Sequence, residues 1–404
     1  MQLDTRCNAE VAPHGLLRDH MPELDSVRGV AVLLVLFFHG FGFAFGTKSL
    51  SGLPKLFVAA TLPGWIGVNL FFVLSGFLIS GILIDSKQRP DYYQRFYYGR
   101  ALRILPLYYT VLILLALLSR AGFVDRRASW GFLAISSVYL ANVSGLFGIS
   151  MQYGILWTLA IEEHFYLFWP AVIRRFSRRN ISIIATAIFL LCPALRWLYC
   201  ALGYNAGAGY TWLYADGLAL GALLACTVRG RPGERFRMRR LTAALVGSSL
   251  LLLIGGAPFG IFLASHRAGL VLRTTAVNLL SGSVIGLVLL VGTSPWKRAV
   301  NNAALRFFGQ ISYGLYLLHM LIFDLTDHFV KRLFAVNLHD HFAFVVLRFV
   351  LGAGASIGIA YLSRWHFEEI FLKLKSGTKT ASFFSAMRSG PSHQIELSVP
   401  TGSA

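Results

Sequence analysis

Charge is scarce in this chain. Only 14% of its 404 residues are Asp, Glu, Lys or Arg and 56% are hydrophobic, whereas a soluble domain carries about 25% charged residues. That balance excludes an ordinary soluble globule. Cysteine is scarcer still. Cys7, Cys192, Cys200 and Cys226 show no CxxC or other metal-ligand spacing and three of them lie in apolar runs, which excludes a disulfide or zinc framework and leaves no metal expected. Acidic residues are outnumbered, 18 against 37 Lys and Arg, for a formal charge of +19. In a soluble protein that excess points to nucleic acid. Membrane proteins concentrate Lys and Arg in cytoplasmic loops, so no nucleic-acid partner is required here. The first 28 residues hold Asp4, Glu10, Asp19, Glu23 and Asp25 without an apolar core, so they are no signal peptide and the first membrane segment must itself direct insertion.

What the chain has in abundance is long apolar runs. Eleven occur, at about 29–46, 65–84, 102–118, 131–147, 155–173, 181–202, 212–228, 241–263, 276–291, 305–329 and 342–361. If all eleven cross from a cytoplasmic N-terminus, the cluster Arg174, Arg175, Arg178, Arg179 and the cluster from Arg229 to Arg240 fall outside, against the positive-inside rule. The run 131–147 is among the shortest and is broken by Ser136, Ser137, Asn142, Ser144 and Gly145. Read as an external re-entrant or interfacial helix, it leaves ten crossings with 26 Lys and Arg inside against 9 outside. The expected fold class is therefore all-α, a polytopic membrane bundle of about ten transmembrane helices with both termini cytoplasmic. Residues 1–23 form a cytoplasmic N-terminal segment, 24–372 the transmembrane domain, and 373–404, rich in Ser, Gly, Thr and Pro, a disordered cytoplasmic tail.

Ionisable groups inside a crossing cost roughly 2.5 to 3.5 kcal/mol on insertion scales, so each needs a partner or a function. His39 lies eleven residues beyond Arg28, about 16 Å of helix rise, in the outer half of the hydrocarbon core. Counted from their external starts, Glu162, Glu163, Asn69 and Asp216 reach a similar depth, and His319 rises to it from inside. Five helices thus bring polar groups to one outer level, the mark of a watered cavity. A lone histidine in an apolar helix is more often a packing residue, and adjacent Glu162 and Glu163 cannot both face one cavity. At the inner surface Arg100 and Arg103, spaced i, i+3, share one helix face with Arg95 nearby. They serve either as interfacial anchors or as a seat for a phosphorylated cytosolic donor.

These residues sit in blocks that resemble the acyltransferase 3 group of bacterial integral-membrane O-acyltransferases. The blocks are LDSVRGVAVLLVLFFHG (24–40), with its Arg, ten residues, His spacing; GVNLFFVLSGFLISGIL (67–83); YGRALRILPLYY (98–109), with an RxxR pair; LWTLAIEEHFYLFWP (156–170); YADGLALGALLA (214–225); and FGQISYGLYLLHM (308–320). They follow the family's order over roughly residues 24–370. The resemblance implies ten transmembrane helices in the bacterial inner (cytoplasmic) membrane, a cytosolic acyl-CoA donor, usually acetyl-CoA, and an acceptor hydroxyl on a glycan or glycoconjugate at the outer face. By motif position it implies His39 as the catalytic histidine with Arg28 as its motif partner, Arg100 and Arg103 as the donor-site pair, and Glu162 and Glu163 as the family's acidic pair. Asn69, Ser75, Asp216, Tyr313 and His319 fall in similar blocks with less defined roles. Ser26 stands where the family usually has Gly, Thr158 and Ala160 where it has Ser, and WHFEEIF (365–371) lacks its common E-x-P ending. The family's larger members add an SGNH hydrolase-like domain, for which this chain leaves no room, so transfer is expected to finish in the membrane domain or with an envelope glycan-assembly partner.

The chemistry fits these residues. Acyl transfer from a thioester to an alcohol needs a base for the hydroxyl proton, and a neutral imidazole suits that task at neutral pH. His39 takes that role, with Glu162 or Glu163 expected to hydrogen-bond its second ring nitrogen. Direct attack by the alcohol and a transient acyl-histidine both fit. The rival readings are a transporter or flippase, since intramembrane carboxylates and histidines also form proton relays, and a non-catalytic scaffold.

Overall fold

The computed structural model describes residues 16–17, 21–43, 50–124, 128–229, 233–263, 266–291, 297–334 and 342–376. Most of the N-terminal segment and of the tail read from sequence lies outside the described residues. Among these, the regular structure is helical. Ten helices have 13 residues or more: α1 Pro22–Phe37, α2 Ile66–Asp85, α3 Tyr92–Arg120, α4 Leu156–Arg175, α5 Arg178–Ala201, α6 Asp216–Val228, α7 Glu234–Gly256, α8 Arg267–Val291, α9 Ala303–Phe334 and α10 Phe342–Leu362. Each of the ten retained apolar runs falls on one of them.

Among the described residues, seven helical stretches are long and apolar enough to cross a membrane, those built around α1, α2, α3, α5, α7, α8 and α10. The other three differ for visible reasons: α6 has only 13 residues, and α4 and α9 carry the carboxylates, histidines and tyrosines considered below. The run 131–147 folds as an eight-residue helix, Trp130–Ser137, and a 3₁₀ segment, Ala141–Phe147, so it holds no spanning helix. Leu190, Leu191 and Trp197 on α5 and Leu250, Leu251 and Ile254 on α7 are exposed. Such an apolar outer surface suits lipid and not water.

A few charged and amide groups are buried inside the bundle. Arg196 and Asp216, both fully buried, pair at 2.8 Å between α5 and α6. Asn69 on α2 donates to Asn278 on α8 at 2.7 Å. Close backbone approach sets the helix pairs. A Cβ on Gly29 of α1 would lie 2.0 Å from the Leu305 carbonyl oxygen of α9, and one on Gly221 of α6 would lie 2.1 Å from that of Val73 on α2. Only glycine permits these crossings, as small residues commonly do in lipid.

Candidate active site: two chambers joined at a neck

Four helices, α1, α2, α4 and α9, contribute to both of two adjoining cavities, each in a consistent order. The first, of about 110 Å³, is lined by Arg28 of α1, Ser75 of α2, Arg100 and Arg103 of α3, Glu162 and Glu163 of α4 and Tyr313 of α9. The second, of about 410 Å³, is lined by His39, Asn69, Gln152, Trp157, Arg273 and Asp324 among others. Val68, Phe72, Thr158 and Tyr316 line both and form the neck between them.

The order fixes relative helix direction. Along α1 and α9 the chain meets the arginine chamber first, at Arg28 and Tyr313, and the His39 chamber later. Along α2 and α4 it meets the His39 chamber first, at Asn69 and Trp157. Hence α2 and α4 run antiparallel to α1 and α9. An extra crossing at 131–147 would have reversed α4.

His39 sits where α1 passes into a π-helical turn, Phe38–Gly42. Such turns shift the hydrogen-bond ladder by one residue and recur at functional sites. Its surroundings define its proton. His319 Nδ1 lies 2.7 Å from the Tyr316 carbonyl oxygen and 3.1 Å from that of Leu315, and carbonyls only accept, so this nitrogen carries hydrogen. In a neutral ring the His319 Nε2 is then a lone pair. It lies 3.1 Å from His39 Nδ1, which is also 3.1 Å from the Val35 carbonyl oxygen. Both neighbours accept, so His39 Nδ1–H donates and its Nε2 keeps the lone pair, on a half-buried ring that lines the larger chamber. Beyond the turn, Arg348 donates to the Gly40 carbonyl at 3.0 Å while held by Asp327 at 2.5 Å. This anchors the backbone next to His39.

The arginine chamber has a different character. Arg28 pairs with Asp25 at 3.2 Å. Arg100 lies 5.5 Å from the Tyr166 ring centroid, and neither it nor Arg103 forms a hydrogen bond or close ion pair among the described residues. Glu162 accepts from Ser75 at 3.0 Å and from Tyr166 at 3.1 Å. At the neck, Thr158 donates to the Ile155 carbonyl at 2.8 Å, so Tyr316 is the donor of the 2.7 Å hydroxyl pair between them.

The carboxylate expected against His39 is absent from its contacts, and the single outer layer divides in two. Glu162 and Glu163 both line the arginine chamber, against the expectation that helix neighbours cannot face one cavity, and His319 occupies the place assigned to them. The reason lies in where α4 begins. Tyr153, Ile155 and Leu156 are already buried, with the Tyr153 hydroxyl donating to the Leu317 carbonyl at 3.0 Å. The helix thus starts deep in the protein, Trp157 and Thr158 reach the His39 chamber, and the carboxylates one turn on, about 6 Å, reach the other. Asp216 lines neither chamber. Its carboxylate accepts from Arg196 and Thr275, and Arg196 also donates to the Thr275 hydroxyl and to the carbonyls of Leu213 and Val271, a buried ionic lock. Tyr313 lines the arginine chamber and donates to the Ile104 carbonyl at 2.8 Å.

Sequence reasoning passed over Thr158, Tyr316 and Arg273. Tyr313, Tyr316 and Met320 follow i, i+3, i+7 spacing, which marks one face of α9 and was open to reading.

A family model for the acyltransferase domain matches residues 21–365. The chain belongs to the acyltransferase 3 family. Among its relatives, the peptidoglycan O-acetyltransferase OatA of Listeria monocytogenes is 26% identical over 334 residues, covering 76% of this chain and 50% of that protein. Nodulation protein 10 of Rhizobium leguminosarum is 24% identical over 327 residues, covering 75% of this chain and 83% of the relative. The O-acetyltransferase OatA of Staphylococcus aureus is 30% identical over 179 residues, 40% of this chain and 27% of that protein. The chain spans about half the length of the Listeria relative. No solved structure matches it. In this acyltransferase 3 chain the family's Arg and His of α1 lie in different chambers, joined through the neck.

Proposed function

We propose that this chain is a multi-pass inner-membrane O-acyltransferase that moves an acyl group, chiefly acetyl, from cytosolic acyl-CoA to a hydroxyl of a cell-surface or exported glycan. In this reading ten helices cross, both termini are cytoplasmic, and the arginine chamber opens inward. The observation that carries it is the pair of adjoining chambers: Arg100 and Arg103, without a hydrogen bond or close ion pair among the described residues, on one side of the neck, and a half-buried imidazole whose Nε2 keeps a lone pair on the other.

The donor's phosphates are held at Arg100 and Arg103 by charge-assisted hydrogen bonds, with Arg28 beside them. The chamber of about 110 Å³ takes the narrow pantetheine arm and leaves the nucleotide at its mouth. About 16 Å of helix rise separates Arg28 from His39, within reach of that arm. Glu162, fixed by Ser75 and Tyr166, offsets the arginine charge and keeps the empty seat from repelling itself. The thioester lies at the neck. His39 Nε2 takes the acceptor hydroxyl proton as the oxygen attacks the thioester carbon. The imidazolium is stabilised through Nδ1–H by His319 Nε2 and the Val35 carbonyl. As the C–S bond breaks, the proton passes to the departing thiolate, leaving ester and free coenzyme A. The acceptors named for the peptidoglycan relatives make a cell-envelope polysaccharide the first class to test.

The test is mass spectrometry of surface glycans from cells with the intact gene, without it, and with His39→Ala. The acetyl increment is expected only with the intact gene. A glycolipid or solute moved by purified protein without acetyl-CoA consumption, unaffected by His39→Ala, would instead establish a transporter.

A further inference from the structure

The His39 chamber holds a cation that acyl transfer does not use. Arg273, in the second turn of α8, stacks its guanidinium 4.8 Å from the Trp65 ring centroid. Its Nε is shielded from water, and it has no hydrogen-bond or ion-pair partner among the described residues. Stacking fixes the plane of the guanidinium and leaves its edge free, and that edge is a planar fork of donors matched to a carboxylate. With only its Nε shielded, the half-buried guanidinium keeps its other donors open to an arriving anion. The site is unfavourable on topological grounds, since in the proposed orientation Arg273 is at the outer end of α8, where arginine is disfavoured. Simple snorkelling would send the side chain to the lipid surface, whereas this one lines the cavity.

The rest of the wall suits a sugar. Trp157 and Tyr214, ring centroids 5.2 Å apart and edge to face, offer apolar faces, and Gln152 and Asp324 also line the cavity. A cavity of about 410 Å³ accommodates one or two pyranose rings.

We propose that the acceptor is an acidic glycan and that Arg273 reads the carboxylate of a hexuronate-type sugar close to the hydroxyl that receives the acyl group. This rests on the reading of the His39 chamber as the acceptor side. The test uses the full-length protein in proteoliposomes with labelled acetyl-CoA and two acceptors, a β-glucuronosyl-N-acetylglucosamine disaccharide and its carboxyl-reduced counterpart. The wild type is expected to prefer the acidic disaccharide in kcat/KM by on the order of tenfold or more. Arg273→Gln should bring that ratio to about one, and Arg273→Lys should restore part of it. Equal use of the two by the wild type, or an unchanged ratio in Arg273→Gln, overturns the assignment. Calorimetric binding of the same disaccharides without acetyl-CoA separates the two layers of the argument. Charge-selective binding that Arg273→Gln abolishes, with no acetyl transfer, leaves Arg273 as the carboxylate reader and removes the acyltransferase reading. If wild-type protein binds both alike, or neither, the proposal falls. Should Arg273→Gln fail to fold, the wild-type ratio and the lysine variant still decide.

Discussion

The two chambers share four helices and differ in almost everything else. One is narrow, with three arginines against two glutamates; the other is about four times larger and walled by aromatic rings around one imidazole, one arginine and one aspartate. A donor that is the same in every turnover suits a small, electrostatically specified seat. On the proposed reading, a glycan acceptor needs the larger room. The neck of Val68, Phe72, Thr158 and Tyr316 keeps the charges of the first chamber away from the base in the second.

Substitutions can break this division. The largest effect is expected at His39, where alanine should lower kcat by about 10²- to 10⁴-fold, the usual worth of a positioned general base, with the KM for acetyl-CoA little changed. A change in KM alone would move His39 out of the chemistry. Next comes Asp216→Ala, which leaves Arg196 buried and unpaired and should cost about 3–5 kcal/mol of stability, read as a lower melting temperature in detergent. Because Asp216 lines neither chamber, activity per folded molecule should survive. Arg103→Ala should raise the KM for acetyl-CoA about tenfold, and wild-type donor affinity should weaken with added salt, since exposed charge pairing is screened. A salt-independent affinity would contradict a phosphate seat. The smallest effect is at the neck. Phe72→Ala should shift the butyryl-CoA to acetyl-CoA ratio of kcat/KM several-fold toward the longer chain, less than the roughly 10- to 200-fold that one methylene commands in a tight pocket.

Much of the scaffold was legible because apolar length and basic loops report directly on lipid. Serines and a glycine within 131–147 marked a segment unable to span, and that parity kept α4 antiparallel to α1. The i, i+3 spacing of Arg100 and Arg103 placed them on one face, and both line the same chamber. Depth was less legible. Counting helix rise from a supposed membrane surface misplaced Glu162 and Glu163, because the buried stretch around Tyr153 and Ile155 starts α4 inside the protein. Pairings between distant segments left no local signal at all: nothing near Asp216 names Arg196, and nothing near His39 names His319.

In the proposed mechanism donor and acceptor reach His39 from opposite sides of the neck. Proteoliposomes of defined orientation, with labelled acetyl-CoA confined to the side of the arginine chamber and the disaccharide acceptor to the other, test it most directly. Labelled ester on the acceptor side, absent with His39→Ala, is the predicted result. Transfer only when both substrates share one side, or transfer that persists without the imidazole, would contradict the account.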